Sequence, residues 1–174
     1  MKRLLLFSIV CMLAIASSAQ TEHVKFMGIP IDGTINQFQQ KLQAKGIKYN
    51  QALSRLSPNG SRVFDGKHEG DNACITVIYN VNTKIVYSVG VVYVYNTPEA
   101  ALEKFKQIAD SLNEKYVFDE EGSDDEKLRF LVPAQDLSRV IGIVNVSCDY
   151  HCGTFKTCVI YCDLANYILN DENQ

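Results

Sequence analysis

Residues 73–95, ACITVIYNVNTKIVYSVGVVYVY, decide the fold. They hold two runs, Ala73 to Val81 and Ile85 to Tyr95, dense in the Val, Ile, Tyr and Thr that suit a pleated surface. Asn82-Thr83 between them suits a hairpin turn. Side chains alternate along a strand, so Ile85, Tyr87, Val89, Val91, Tyr93 and Tyr95 share one face. Val86, Ser88, Gly90, Val92 and Val94 share the other. Both faces are largely apolar, which predicts a strand in the middle of a sheet.

A helix is predicted immediately downstream. Thr97 supplies an N-cap, Pro98 suits the first helical position, and Glu99 complements the dipole. Leu102, Phe105, Ile108, Ala109, Leu112 and Tyr116 recur at three- and four-residue intervals, a stripe for packing on the sheet. Lys104, Lys106, Gln107, Asp110 and Glu114 are expected on its wet side.

Upstream, Thr34 and Gln37 form a capping box, Ile35, Phe38 and Leu42 follow at helical spacing, and Gly46 suits the left-handed cap. These predict a helix over 35–45. Phe26 to Ile31 reads as extended, with Pro30 confining it to an edge. Arg62 to Gly66 is a strand candidate after the turn-rich Ser57-Pro58-Asn59-Gly60. Beyond the second helix lie three more strand candidates, Leu128 to Val132, Val140 to Tyr150 and Phe155 to Cys162. The tail 163–169 fits a short helix or an extended end. The order β-α-β-β-β-α-β-β-β predicts an α+β domain, an antiparallel sheet with two helices packed on one face. Each half runs as extended segment, helix and strands, which hints at duplication without any residue-level repeat.

The chain opens with a secretory pattern. Lys2 and Arg3 precede the apolar run Leu4–Ala16, and Ser17-Ser18-Ala19 supplies small residues for cleavage. As a helix that run reaches about 20 Å, short of a hydrocarbon core of about 30 Å. Residues 1–19 are therefore expected to be a signal peptide that takes Cys11 with it, leaving 20–174 as one domain, periplasmic or secreted. No later stretch is long and apolar enough to predict a membrane span.

Without Lys2 and Arg3 the chain carries 15 basic residues (17 less two) against 20 acidic. That sign and scatter argue against nucleic acid and anionic lipid as partners. The acidic run Asp119 to Glu126 fits no calcium-loop spacing and reads as a solvated loop.

Five cysteines remain: Cys74, Cys148, Cys152, Cys158 and Cys162. The positions of Cys148 and Cys162 add to the same total as those of Cys152 and Cys158. One antiparallel register therefore opposes both pairs, with all four sulfurs on one face and 153–157 as the loop. Export into an oxidising compartment favours two nested disulfides, Cys148–Cys162 and Cys152–Cys158. Two alternatives stand beside this: a four-cysteine metal site with His151 nearby, and unbridged core thiols. Cys74, left over and on a central strand, is expected to be a buried free thiol.

No catalytic, cofactor or metal motif stands out. His23 lies near a terminus expected to fray, His68 in a polar turn and His151 in the hairpin, none beside a nucleophile. The pieces FMGIPIDGT (26–34), Lys45-Gly46, Phe64-Asp65-Gly66-Lys67, Cys74-Ile75-Thr76-Val77 and VIYCDLAN (159–166) resemble small uncharacterised exported proteins of gut-dwelling Gram-negative anaerobes. That resemblance implies an α+β periplasmic or secreted protein with no catalytic residues to carry over. The extra cysteines of the final hairpin depart from its pattern. The expected function is a non-enzymatic binding or interaction module whose partner is a protein or small ligand in the cell envelope or outside the cell. The alternatives are a small envelope hydrolase built from residues such as Asp65, His68 and Glu69, and a cysteine-hairpin metal-binding protein.

Overall fold

The computed structural model describes residues 22–124, 127–151 and 153–171. Its N-terminal part is a small hairpin, β1 (Lys25–Phe26) and β2 (Ile29–Pro30), followed by helix α1 (Ile35–Ala44). The α1 capping box forms as predicted, with Thr34 accepting from the Gln37 amide and Gln37 accepting from the Thr34 amide. A short strand β3 (Lys48–Tyr49) and a six-residue helix α2 (Gln51–Leu56) lead into the long strands β4 (Ser61–His68), β5 (Asp71–Tyr79) and β6 (Val86–Tyr95). Helix α3 (Pro98–Asn113) is capped by Thr97, with Pro98 in its first turn. Strands β7 (Val117–Phe118), β8 (Lys127–Pro133), β9 (Val140–His151) and β10 (Thr154–Asp163) follow, and the ambiguous tail is a helix, α4 (Leu164–Asp171).

The architecture is α+β. Its antiparallel sheet of eight strands, ordered β3-β4-β5-β6-β10-β9-β8-β7, is larger than predicted. The extra members, β3 and β7, are two-residue edge strands too short to leave a periodic signal. The expected first strand pairs only within its own hairpin. Two four-stranded meanders, each led by a helix, meet where β6 pairs antiparallel with β10. The duplication hinted at in sequence is thus present in topology.

Helices α1 and α3 and the N-terminal hairpin cover one face of the sheet and bury its inward residues. Across the strands the register aligns Phe64, Ile75, Val91, Val159 and Val146, all fully buried or nearly so. Ile35, Phe38 and Leu42 of α1, Ile108 and Leu112 of α3, and Val24, Phe26, Ile29 and Ile31 of the N-terminal hairpin close over them. Asp163 ties the ends together, accepting from the Val24 amide at 2.9 Å and contacting His23 Nδ1 at 3.1 Å. Its other oxygen accepts from the Asn166 amide at the start of α4. His23 is therefore anchored where fraying was expected.

Candidate functional site

The opposite face is open over β6 and β10, although Val63 on the same face of β4 is buried. On β10, Thr157, Val159 and Tyr161 point into the core, so Cys158, Ile160 and Cys162 point out. On β6 the outward set includes Gly90, Val92 and Val94, which pair with Ile160, Cys158 and Lys156. Ile160 is 44% exposed and Val94 56%. A solvated sheet face ordinarily alternates polar residues outward; these two central strands instead present valine, isoleucine and cysteine.

Charge gathers toward the margins of the same face. Register places Lys48, Asp65 and Lys67 on one flank, Lys127 and Arg129 on the other, and Lys156 opposite Asp149 at one end. Five cations thus meet three acids, Asp65, Asp149 and the Asp119 that pairs with Arg129, although the chain as a whole holds more acids than bases. Arg129 leans on Asp119 at 3.7 Å, and its Nε and the Oδ1 of its cross-strand partner Asn145 are buried without a partner among the described residues. A shallow depression of about 700 Å³ runs along the first flank, between Lys45, Lys48, Lys67, Cys74 and Val92.

The cysteines are not arranged as predicted. Cys148 opposes Thr157 and Cys162 opposes Ile143, so the expected Cys148–Cys162 pair does not face itself. The strands stay paired up to His151 and Thr154, with Gly153 taking the left-handed conformation (φ 79) that a two-residue turn needs. Residues 154–157, expected in a loop, belong to β10. The register consequently slips by five, and an odd slip turns side chains to the opposite face. Cys148 lies on the helix side, whereas Cys158 and Cys162 lie on the open face with Cys74, which shares the neighbour Val92 with Cys158. Cys74, Cys148, Cys158 and Cys162 are all free and half-buried; Cys152, and with it the Cys152–Cys158 expectation, falls outside the described residues. Burial pushes all four thiols up, Cys162 to about 11, with Asp163 adding to the shift there. Among the described residues no group of three or more His, Cys, Asp or Glu could hold a metal ion.

A second concavity lies on the helix side. Two hairpin turns, Met27-Gly28 and Glu69-Gly70, have both central residues at positive φ, the geometry of a type I′ turn, and both reach the same cleft. The cleft measures about 700 Å³ between these turns and α3. At its wall sits His68, only 5% exposed, stacked on Phe26 at 5.3 Å and hydrogen-bonded through Nδ1 to the Tyr93 hydroxyl. That hydroxyl also donates, at a long 3.4 Å, to the His68 carbonyl. The Tyr93 hydroxyl and Nδ1 share one hydrogen, the donor being set by the imidazole tautomer. Burial lowers the His68 pKa; Lys104 and Lys115 act in the same sense and Glu69 opposes them. Burial also raises the pKa values of Tyr93, Tyr116 and Tyr161, so the hydroxyls stay protonated.

Lys104, expected on the wet side of its helix, is 3% exposed. It lies at helical spacing with Ala101, Ile108 and Leu112, and its stem is long enough to cross the core margin. Nζ reaches Asp71 at 2.7 Å, Gln107 at 3.1 Å and the Glu69 carbonyl at 3.3 Å, and sits 4.9 Å over the Tyr93 ring. It locks the β4–β5 turn to α3.

His68 and Glu69 reach this cleft, but Asp65 projects from the open face beside Cys74, and the three do not assemble. His68 is a buried strand residue, not part of a polar turn. Its parity with Phe64 and Gly66, together with Glu69-Gly70 as a two-residue turn, were the sequence signals that would have placed it. Nothing local in sequence signals that Tyr93, Tyr161 and Lys115 join it. No family model matches the chain, and no match was found among curated proteins or solved structures. Among the described residues no helix is long and apolar enough to cross a membrane.

Proposed function

We propose that the protein is an exported, non-enzymatic interaction module, periplasmic or secreted, that docks a partner protein on the open face of its sheet. The observation that carries this reading is the layout of that face, an apolar, thiol-bearing centre on β6 and β10 inside a charged margin. Stable interfaces have this anatomy, with a desolvated centre and a polar rim. Contiguous apolar surface on a soluble domain otherwise invites aggregation. Five cations against three acids leave a positive surplus that selects a partner with an apolar knob ringed by carboxylates and opposes face-to-face pairing of two copies. Export rests on the N-terminal pattern of Lys2-Arg3, Leu4–Ala16 and Ser17-Ser18-Ala19.

The test is a random peptide library displayed on phage and panned against the folded protein. Enriched peptides should carry apolar residues flanked by Asp and Glu. Their binding should weaken as salt rises and drop at least about tenfold in Ile160→Lys and Val92→Lys. Binders without acidic bias, or indifferent to both substitutions, sink the reading.

A further inference from the structure

The geometry points to a second binding site, independent of the docking face: the cleft between α3 and the Met27-Gly28 and Glu69-Gly70 turns takes a small organic anion with a flat ring. Its volume of about 700 Å³ lies in the range of small-ligand sites. The polar groups around it are biased toward donors and positive charge. Lys25 and Lys115 line it with His68, against the single carboxylate of Glu69. Lys115 is exposed at the mouth, yet Nζ is held at 3.0 Å from Ser111 Oγ, so its charge is placed. Tyr116 and Tyr161 join His68 in lining the cleft, giving ring faces and edges on which a planar body packs.

The site is also pre-organised, which reduces the ordering that binding would otherwise require. Phe26 backs the His68 ring, Tyr93 holds its Nδ1 side, and buried Lys104 pins the turn that carries Glu69. Met27 and Glu69 both sit at positive φ, 52° and 49°, where asparagine or glycine would be relaxed. Backbone strain of this kind collects at binding sites. Of the four non-glycine residues at positive φ among those described, Met27 and Glu69 border the cleft, while Lys84 and Leu137 lie elsewhere.

Phenylacetate is the probe, with phenylacetamide and acetate as controls for the charge and the ring. In ¹⁵N-labelled protein, phenylacetate should shift the amides of Gly28, Glu69, Ser111 and Lys115 saturably, at low millimolar concentration. Each control should bind at least about fivefold more weakly. Lys115→Gln should weaken phenylacetate about three- to tenfold. Glu69→Gln, which removes the carboxylate lining the cleft, should tighten it by a few fold. Ile160→Lys, on the far face, should leave it unchanged. No shift up to about 20 mM, shifts centred elsewhere, or equal response to phenylacetamide overturns the assignment. Phage-panning failure with an intact phenylacetate response removes the docking face alone, and the converse removes the cleft alone.

Discussion

Val91 and Val92 are adjacent on β6, identical in chemistry and opposite in circumstance. Val91 is sealed beneath helices in a row with Ile75 and Val159. Val92 faces outward between Cys74 and Cys158, with no long helix above it. Hydrophobic burial is the main stabilising force in folding, but the open row contributes to it only through neighbours within the sheet. One face of the strand holds the molecule together. The other presents the same side-chain types to whatever arrives from outside.

The largest effect separating the two faces should be mechanical. Ile75→Ala, in the sealed row, should cost about 2–5 kcal/mol of unfolding free energy, whereas Ile160→Ala on the open face should cost under about 1 kcal/mol. Urea titration with an unchanged m-value measures both. Equal losses would mean that something covers the open face in solution.

A second effect, of intermediate size, belongs to the sealed side alone. The folded-state pKa of His68 is depressed by burial, so below the ordinary value of about 6.5 the unfolded chain takes up a proton that the folded chain resists. Stability from this group is complete above that value and falls as pH drops toward the depressed one. His68→Gln should flatten the slope of unfolding free energy between about pH 6.5 and 5. A slope unchanged by the substitution would place the titration elsewhere.

The smallest effect concerns the thiols. With its pKa pushed up to about 11, Cys162 should react with iodoacetamide at pH 8 more slowly in the native protein than after unfolding. Non-reducing peptide mapping should yield no Cys148–Cys162 link, since the register holds these residues on opposite faces. Recovering that linked peptide would overturn the register of the β9–β10 hairpin.

Periodicity made the long strands, both main helices and the central place of β6 legible, because each is written in a local pattern of apolar spacing or a cap. The hairpin of cysteines was misread because a register argument needs the turn, and a five-residue slip costs nothing in local propensity. Lys104 was misplaced for a related reason. A lysine counts as wet until its partners, here Asp71 and a turn carbonyl some 35 positions away, are brought under it. The cleft was invisible because its walls come from β1, β4, α3 and β10, and the open face because alternation shows that a strand has two apolar sides without saying that the chain covers only one.

The seam between β6 and β10 bears on how the molecule is made. Ser88 Oγ donates to the Tyr161 carbonyl across 73 residues of sequence, and the whole β6–β10 ladder is comparably distant. Until β10 emerges, the first meander holds β6 as a naked edge, apolar on both sides and able to pair with any passing strand. The second meander offers the same hazard through β10. Ladders between sequence-distant strands also close slowly. Synthesis therefore passes through a half-built stage with an unguarded edge, and the yield of folded protein should depend on how well the chain is escorted through it.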